Sequence, residues 1–237
     1  DDISYEKGAT KKLTSFGLEV ESKVFPGDIS DEAFKKEFAA INADASVDGI
    51  LMLRPLPKQI NEQDIEKMID PAKDLDGISP VNIAKVFSGD TSGFAPCTAE
   101  AVVCMLKMND IALSGKRVAV VGRSMVVGRP LSMLLLHENA TVTICHSRTA
   151  SLPEVCREAD ILTACVGKAA MINHTYVKKD AVVIDVGINV DENGKLCGDV
   201  DYDTIQDKAQ AATPVPGGVG AVTTAVLAKH LVRAAGL

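Results

Sequence analysis

The residues best placed to do chemistry begin at Gly122-Arg123-Ser124-Met125-Val126-Val127-Gly128-Arg129-Pro130. The run Val118-Ala119-Val120-Val121 before it is charge-free and β-branched, as in a strand buried on both faces. Pro130 and Leu131-Ser132-Met133-Leu134-Leu135-Leu136 after it read as the opening of a helix packed on that strand. Between them, free backbone N–H groups and the positive end of the helix dipole point into a loop bounded by Gly122 and Gly128, which makes a cradle for an anion. A dinucleotide pyrophosphate suits it. The spacing departs from G-x-G-x-x-G: Ser124 replaces the middle glycine and the last glycine comes one residue later. An ordinary tight strand-to-helix turn therefore stands as the alternative.

The tip of the next expected strand, Ile144-Cys145-His146-Ser147-Arg148-Thr149, holds no carboxylate where an NAD site places one for the ribose hydroxyls. A hydroxyl and the Arg148 guanidinium there fit a 2′-phosphate instead, which predicts NADP; a surface arginine is the other reading. Asp185-Val186-Gly187-Ile188-Asn189 ends a later strand with a glycine that lets backbone approach a nicotinamide closely. Thr213-Pro214-Val215-Pro216-Gly217-Gly218-Val219-Gly220 joins rigid and permissive backbone just before a helix, as a loop shaped around a ligand or an interdomain hinge would. In Lys73-Asp74-Leu75-Asp76-Gly77, two carboxylates and a lysine crowd one loop, which taken alone is a solvated turn.

Several elements must position these groups. Strand candidates begin near Val118, Thr141, Ile161 and Ala181 at spacings of about 20 residues, and such crossovers imply parallel pairing. The expected fold class is therefore α/β, with a doubly wound, parallel-sheet, Rossmann-like cofactor domain beside a smaller α/β domain. Residues 1–16 read as a helix closed by Gly17. Leu18–Val24 alternates as a half-buried strand needing a partner, which suggests that the chain lacks its natural N-terminus. Asp31–Ala45 is an amphipathic helix carrying Phe34, Phe38, Ile41 and Ala45 on one stripe, capped by Ser30 or Asp31. Gly49–Leu53 reads as a buried strand stopped by Pro55 and Pro57, Asn61–Ile69 as a helix, and Thr98 as the cap of a helix running to about Met108. A terminal helix spans Val222–Ala235.

The whole chain narrows the function classes. It has 237 residues, a formal net charge of -7, 46% hydrophobic and 24% charged residues. That acidic balance argues against nucleic acid as a partner. No apolar run approaches the roughly 20 residues of a membrane span, and no signal peptide is evident, so a protein of the cytoplasm or of an organelle matrix is expected. Cys97, Cys104, Cys145, Cys156, Cys165 and Cys197 form no C-x-x-C pair, and His137, His146, His174 and His230 are scattered, so no metal is expected.

Together, Pro55-Leu56-Pro57, Lys73-Asp74-Leu75-Asp76-Gly77, Pro96-Cys97-Thr98, the Gly122–Pro130 loop and Pro214–Gly220 strongly resemble the methylenetetrahydrofolate dehydrogenase/methenyltetrahydrofolate cyclohydrolase family, in order and over nearly the whole chain. The resemblance implies a folate domain over 1–105, an NADP-binding domain over 106–215, and a loop and terminal helix, 216–237, returning to the first. It implies oxidation of 5,10-methylenetetrahydrofolate with NADP, then hydration to 10-formyltetrahydrofolate, in one-carbon metabolism and purine biosynthesis, by a cytoplasmic homodimer. It assigns Tyr5 and Asp76 to catalysis and, with Pro216, Gly217 and Gly218, to folate binding. Gly122, Arg123, Ser124, Gly128, Ser147, Arg148 and Ile188 would bind the cofactor. The family's essential lysine falls at Ala9 and its glutamine partner at Leu53, which puts the hydrolase half in doubt unless Lys7, Lys11 or Arg54 serves. A non-catalytic folate- or nucleotide-binding module, or a Rossmann dehydrogenase for another small substrate, are the competing readings.

Overall fold

The computed structural model describes the backbone of residues 2–237 and the side chains from Glu6 onward. The chain forms two units, Asp1–Cys97 with Thr224–Leu237, and Thr98–Thr223. The boundaries thus fall after 97 and 223, where the sequence reading sets them after 105 and 215.

In the first unit, α1 (Asp2–Ser15) ends before Gly17, whose φ of 81° suits a residue without Cβ. Leu18–Val24, expected as a strand, has no regular secondary structure and is mostly exposed; no described strand lies beside it. α2 (Asp31–Ala43) is capped by Ser30, whose side chain accepts from the Ala33 N–H at 3.2 Å. Its Phe34 and Phe38 join Ile60, Ile65, Ile69 and Ile78 in one core. Gly49–Leu53 also falls short of the expected strand. Only Ile50 pairs, in a single parallel bridge to Asp74, because one bridge on one side leaves nothing to extend a ladder. α3 (Glu62–Met68) lies within the expected helix. α4 (Pro80–Ser88) is an element that the sequence reading misses, although Ser79 caps it, Pro80 sits in its first turn and Gly89 closes it at φ 78°. α5 (Cys97–Met108) begins at Cys97. Thr98 is therefore inside the helix and is not its cap.

The second unit is a five-stranded parallel sheet. β1 (Arg117–Val121), β2 (Thr141–Cys145), β3 (Ile161–Ala164) and β4 (Val182–Asp185) form where the charge-poor runs predict, with α6 (Gly128–His137) and α7 (Leu152–Arg157) as crossovers. A hairpin of β5 (Asn189–Val190) and β6 (Leu196–Cys197), then α8 (Tyr202–Ile205), lead to β7 (Ala211–Ala212), a short edge strand too small to show a period. The order is β2-β1-β3-β4-β7, with Val118 opposite both Val142 and Ile161. β1, β3 and β4 are buried, whereas β2 lies at an edge and is half exposed. α9 (Val219–Ala234) ends the chain. Among the described residues no helix is long and apolar enough to cross a membrane.

Candidate active site

The acidic loop of the first unit is no solvated turn. Asp74 is buried, with Oδ1 accepting from the Ile78 N–H at 3.0 Å and Oδ2 from the Ser79 N–H at 2.8 Å and Asn82 Nδ2 at 2.9 Å. Three donors saturate it and tie the loop to the start of α4. Asp76 is different: its Oδ1 accepts from the Cys97 N–H at 2.9 Å, while Oδ2 faces the Arg54 guanidinium at 3.9 Å. It therefore takes over the capping of α5 and keeps acceptor capacity. Its side chain is 22% exposed, yet burial pushes its carboxyl above the usual range against the Cys97 N–H and Arg54. Gly77 completes the turn at φ 61°; a Cβ there would stand 2.3 Å from the Phe94 carbonyl oxygen. Behind the loop, buried His230 of α9 donates from Nδ1 to the Leu75 carbonyl at 2.7 Å.

In the second unit the glycine loop is held by backbone. The Gly122 N–H donates to the Cys145 carbonyl and the Cys165 N–H to the Val121 carbonyl, both at 2.9 Å, so the loop is clamped between the ends of β2 and β3. Gly122 has φ 136°, and a Cβ on it would meet the Cys165 carbonyl oxygen at 2.3 Å; one on Gly128 would meet the Gly122 oxygen at 2.2 Å. Burial pushes the Cys165 thiol up to about 12, so it stays protonated and donates to the Val121 carbonyl at 3.2 Å. The Ser124 hydroxyl accepts from the Val127 N–H at 3.1 Å, which leaves Arg123 and Ser124 exposed on the rim. At the end of β2, His146 Nδ1 accepts from the Arg148 N–H at 3.1 Å and the Thr149 hydroxyl from the His146 N–H at 2.9 Å. That turn presents Ser147 and Arg148 to solvent.

A cavity of about 190 Å³ lies at the end of β4, lined by Asp185–Ile188, Leu196 and Pro214–Ala221. It brings together Ile188, which is 68% exposed, with Pro216, Gly217 and Gly218. Two saturated carboxylates brace this wall. Asp185 accepts from the Gly187, Asp199 and Val200 N–H groups at 2.9–3.0 Å, and Asp199 from those of Val166, Gly167 and Lys168 and from Asn189 Nδ2 at 2.6–3.1 Å. Each acid packs where the other's glycine has no side chain: a Cβ on Gly198 would touch Asp185 Oδ2, and one on Gly187 would come 2.3 Å from Asp199 Cγ. This pair escapes a reading of the sequence, whose trace of it is an acid and a glycine within two residues of each other in both Asp185-Val186-Gly187 and Gly198-Asp199-Val200.

Two family models match the chain: tetrahydrofolate dehydrogenase/cyclohydrolase, catalytic domain, over residues 1–76, and its NAD(P)-binding domain over residues 96–237. The chain belongs to this family. Among its relatives is a bifunctional protein FolD of Clostridium kluyveri, 54% identical over 233 residues, covering 98% of this chain and 82% of the relative. A solved bifunctional FolD of Campylobacter jejuni superposes with a TM-score of 0.96 at 37% identity, over 98% of this chain and 83% of that one. A Trypanosoma brucei FolD structure complexed with NADP cofactor and inhibitor gives 0.92 at 33%, over 98% and 81%.

Set in the family's frame, Asp76 lies in the first unit, and Gly122, Arg123, Ser124, Gly128, Ser147, Arg148, Ile188, Pro216, Gly217 and Gly218 in the second. Tyr5 falls in α1, and its side chain lies outside the described residues. Ala9 is buried at 6% exposure, while Lys7 and Lys11 are exposed. Arg54 is drawn inward, with Nη1 3.3 Å from Glu66 Oε1 and 3.8 Å from Glu62 Oε1. The sequence reading sees the arginine but not its cage, since Glu62 and Glu66 look like an ordinary helix face.

Proposed function

We propose that the protein oxidises 5,10-methylenetetrahydrofolate to the methenyl form with NADP and hydrates that product to 10-formyltetrahydrofolate. The observation that carries it is that the two matched family segments, 1–76 and 96–237, hold the unsaturated carboxylate of Asp76 and the glycine cradle with its cavity, respectively. The cradle fits the cofactor, because Gly122 and Gly128 sit where any Cβ would collide with backbone and Arg148 stands exposed beyond the end of β2. Gly122, Arg123, Ser124 and Gly128 would hold the pyrophosphate, Ser147 and Arg148 the 2′-phosphate, and Ile188 the nicotinamide. When bound, NADP supplies the hydride acceptor.

The residues present suit the first of these steps. Hydride leaves a carbon flanked by two nitrogens whose lone pairs stabilise the cation formed, so that step requires no strong base. Orientation does most of the work and can be worth roughly 7–11 kcal/mol. Asp76 would hold the pterin ring through its N–H groups, with Tyr5 over the folate and Pro216–Gly218 against it. Hydration needs an activated water and a titratable group near the reacting carbon. A cytoplasmic homodimer serving purine biosynthesis completes the reading, supported by the family resemblance. Mixing protein, NADP and methylenetetrahydrofolate should raise NADPH absorbance; no rise would overturn the reading.

A further inference from the structure

Arg54 is the feature that the proposed reaction leaves unused. Its side chain is only 17% exposed, and three carboxylates face it: Glu66 at 3.3 Å and Glu62 at 3.8 Å on Nη1, Asp76 at 3.9 Å on Nη2. The glutamates come from one face of α3, and Glu62 is itself fixed, its Oε2 accepting from the Leu56 N–H at 3.1 Å. The planar fork thus divides, one nitrogen toward α3 and the other toward the loop that carries Asp76. A lysine ammonium, a single point on a flexible stem, could not face both sides in this way. A surface arginine would pair with one acid in water and contribute little. This one is enclosed and aimed.

We propose that Arg54 is a positioning residue for Asp76: braced by Glu62 and Glu66, its guanidinium fixes the Oδ2 edge of Asp76 and keeps that carboxylate an anion for the pterin N–H groups. The proposal rests on the folate reading of Asp76 given above. The charged and titratable groups around the pair support it. Facing Asp76 are Arg54, the Cys97 thiol at the start of α5, and Asp74 in its own loop, whose charge opposes ionisation. Facing Arg54 are Glu62 and Glu66 of α3, and burial also raises the Glu66 carboxyl. For Asp76 burial is the largest influence and acts upward, whereas the Cys97 N–H and Arg54 act downward. Arg54 is the cation in this set, so its removal leaves only the Cys97 groups to oppose burial.

The test uses the full chain with Arg54→Gln, which keeps a polar head without charge, and Arg54→Lys, which keeps charge without the fork. The pH profile of kcat/KM for methylenetetrahydrofolate is measured together with a ¹³C-carboxyl NMR titration of Asp76, identified by its loss in Asp76→Asn. In Arg54→Gln the acid limb and the Asp76 midpoint should both rise by about one pH unit, as loss of an opposite charge at this range requires. The folate KM should rise while the NADP KM holds. Arg54→Lys should restore most of the midpoint and little of the folate KM, since charge returns without orientation. A thermal melt shows whether each variant is folded; should Arg54→Gln be unfolded, the lysine variant's split between midpoint and KM carries the decision. An unchanged Asp76 midpoint in Arg54→Gln, or a uniform loss of activity at every pH, would overturn the proposal and leave Arg54 a structural neutraliser of α3. If the midpoint moves as stated but the wild-type protein forms no NADPH, the folate reading fails and the Arg54–Asp76 coupling stands.

Discussion

In the Asp76 loop, position is set by charge around one close backbone contact at Gly77: Asp74 gathers three donors to close the turn, and Asp76, two residues on, accepts one and faces a guanidinium. In the Gly122 loop, position is set by contact. Backbone lies so close to backbone that the sites of Cβ atoms are occupied by carbonyl oxygens at 2.2–2.3 Å. The difference separates two ways of failing. A charged loop can lose a ligand while keeping its shape, or lose its shape when a saturated acid goes; a contact loop loses both together.

The sharpest break in that comparison is between two neighbouring acids. Asp76→Ala should lower kcat/KM for methylenetetrahydrofolate at least a hundredfold, since two charge-assisted hydrogen bonds at about 1.5–3 kcal/mol each are removed. NADP affinity, measured by fluorescence titration, should hold. Asp74→Ala should act the other way. It strands three donors in a buried turn, so urea unfolding should show about 3 kcal/mol or more of lost stability. If both variants lose the same property, the distinction between saturated and unsaturated carboxylates is wrong.

Gly122→Ala tests the contact loop. A Cβ at φ 136° is strained in itself and would press on the Cys165 carbonyl. Together with overpacking, this should cost about 2–5 kcal/mol in urea unfolding and weaken NADP in parallel. A variant with normal stability that loses only NADP would place the conflict with the ligand instead of with β3.

Arg148→Ala should change less. Arg148 is exposed and held at the end of β2 by the turn that His146 and Thr149 close. One guanidinium pairing with a 2′-phosphate is worth about 10- to 100-fold in affinity, and NAD offers no such phosphate. Calorimetry with both cofactors should therefore show NADP weakened by that factor and NAD unchanged; equal losses would return Arg148 to the bare surface.

The same contrast explains what was legible in the sequence. Glycines that touch backbone leave a fixed spacing around a β-branched strand and a proline, so Gly122–Pro130 and the strands β1 to β4 stand out. Asp76 could not be told from a solvated turn by composition, because its burial depends on Cys97 and Arg54, remote in the chain. The strands expected at Leu18–Val24 and Gly49–Leu53 failed for a related reason. Alternation shows that a segment could line a sheet, but pairing needs a neighbour, and Ile50 finds only Asp74. Asp185 and Asp199 were missed because their donors come from three separate loops.

The smallest effect is expected at Ala9, where the family resemblance implies a lysine that this chain lacks. Ala9 lies on the buried face of α1 with Leu13, and two residues along a helix turn a side chain by about 200°, so exposed Lys7 and Lys11 point elsewhere. Neither supplies the ammonium that the family resemblance implies at this position. Leu53, half-buried, has no group to orient one, and Arg54 offers only N–H donors, which can stabilise an oxyanion. Hydration of methenyltetrahydrofolate should therefore run well below the dehydrogenase rate, because a positioned acid or base is worth about 10²–10⁴ in such a step. Ala9→Lys should recover only several-fold of this, since it returns the proton carrier without its partner, and adding Leu53→Gln should recover more. The decay of methenyltetrahydrofolate absorbance measures it directly. A wild-type hydration rate equal to the dehydrogenase turnover would show that another residue has taken the role, and a loss of hydration on Arg54→Ala beyond the accompanying loss of dehydrogenase activity, with Lys7→Ala and Lys11→Ala unaffected, would identify Arg54 acting as an oxyanion donor.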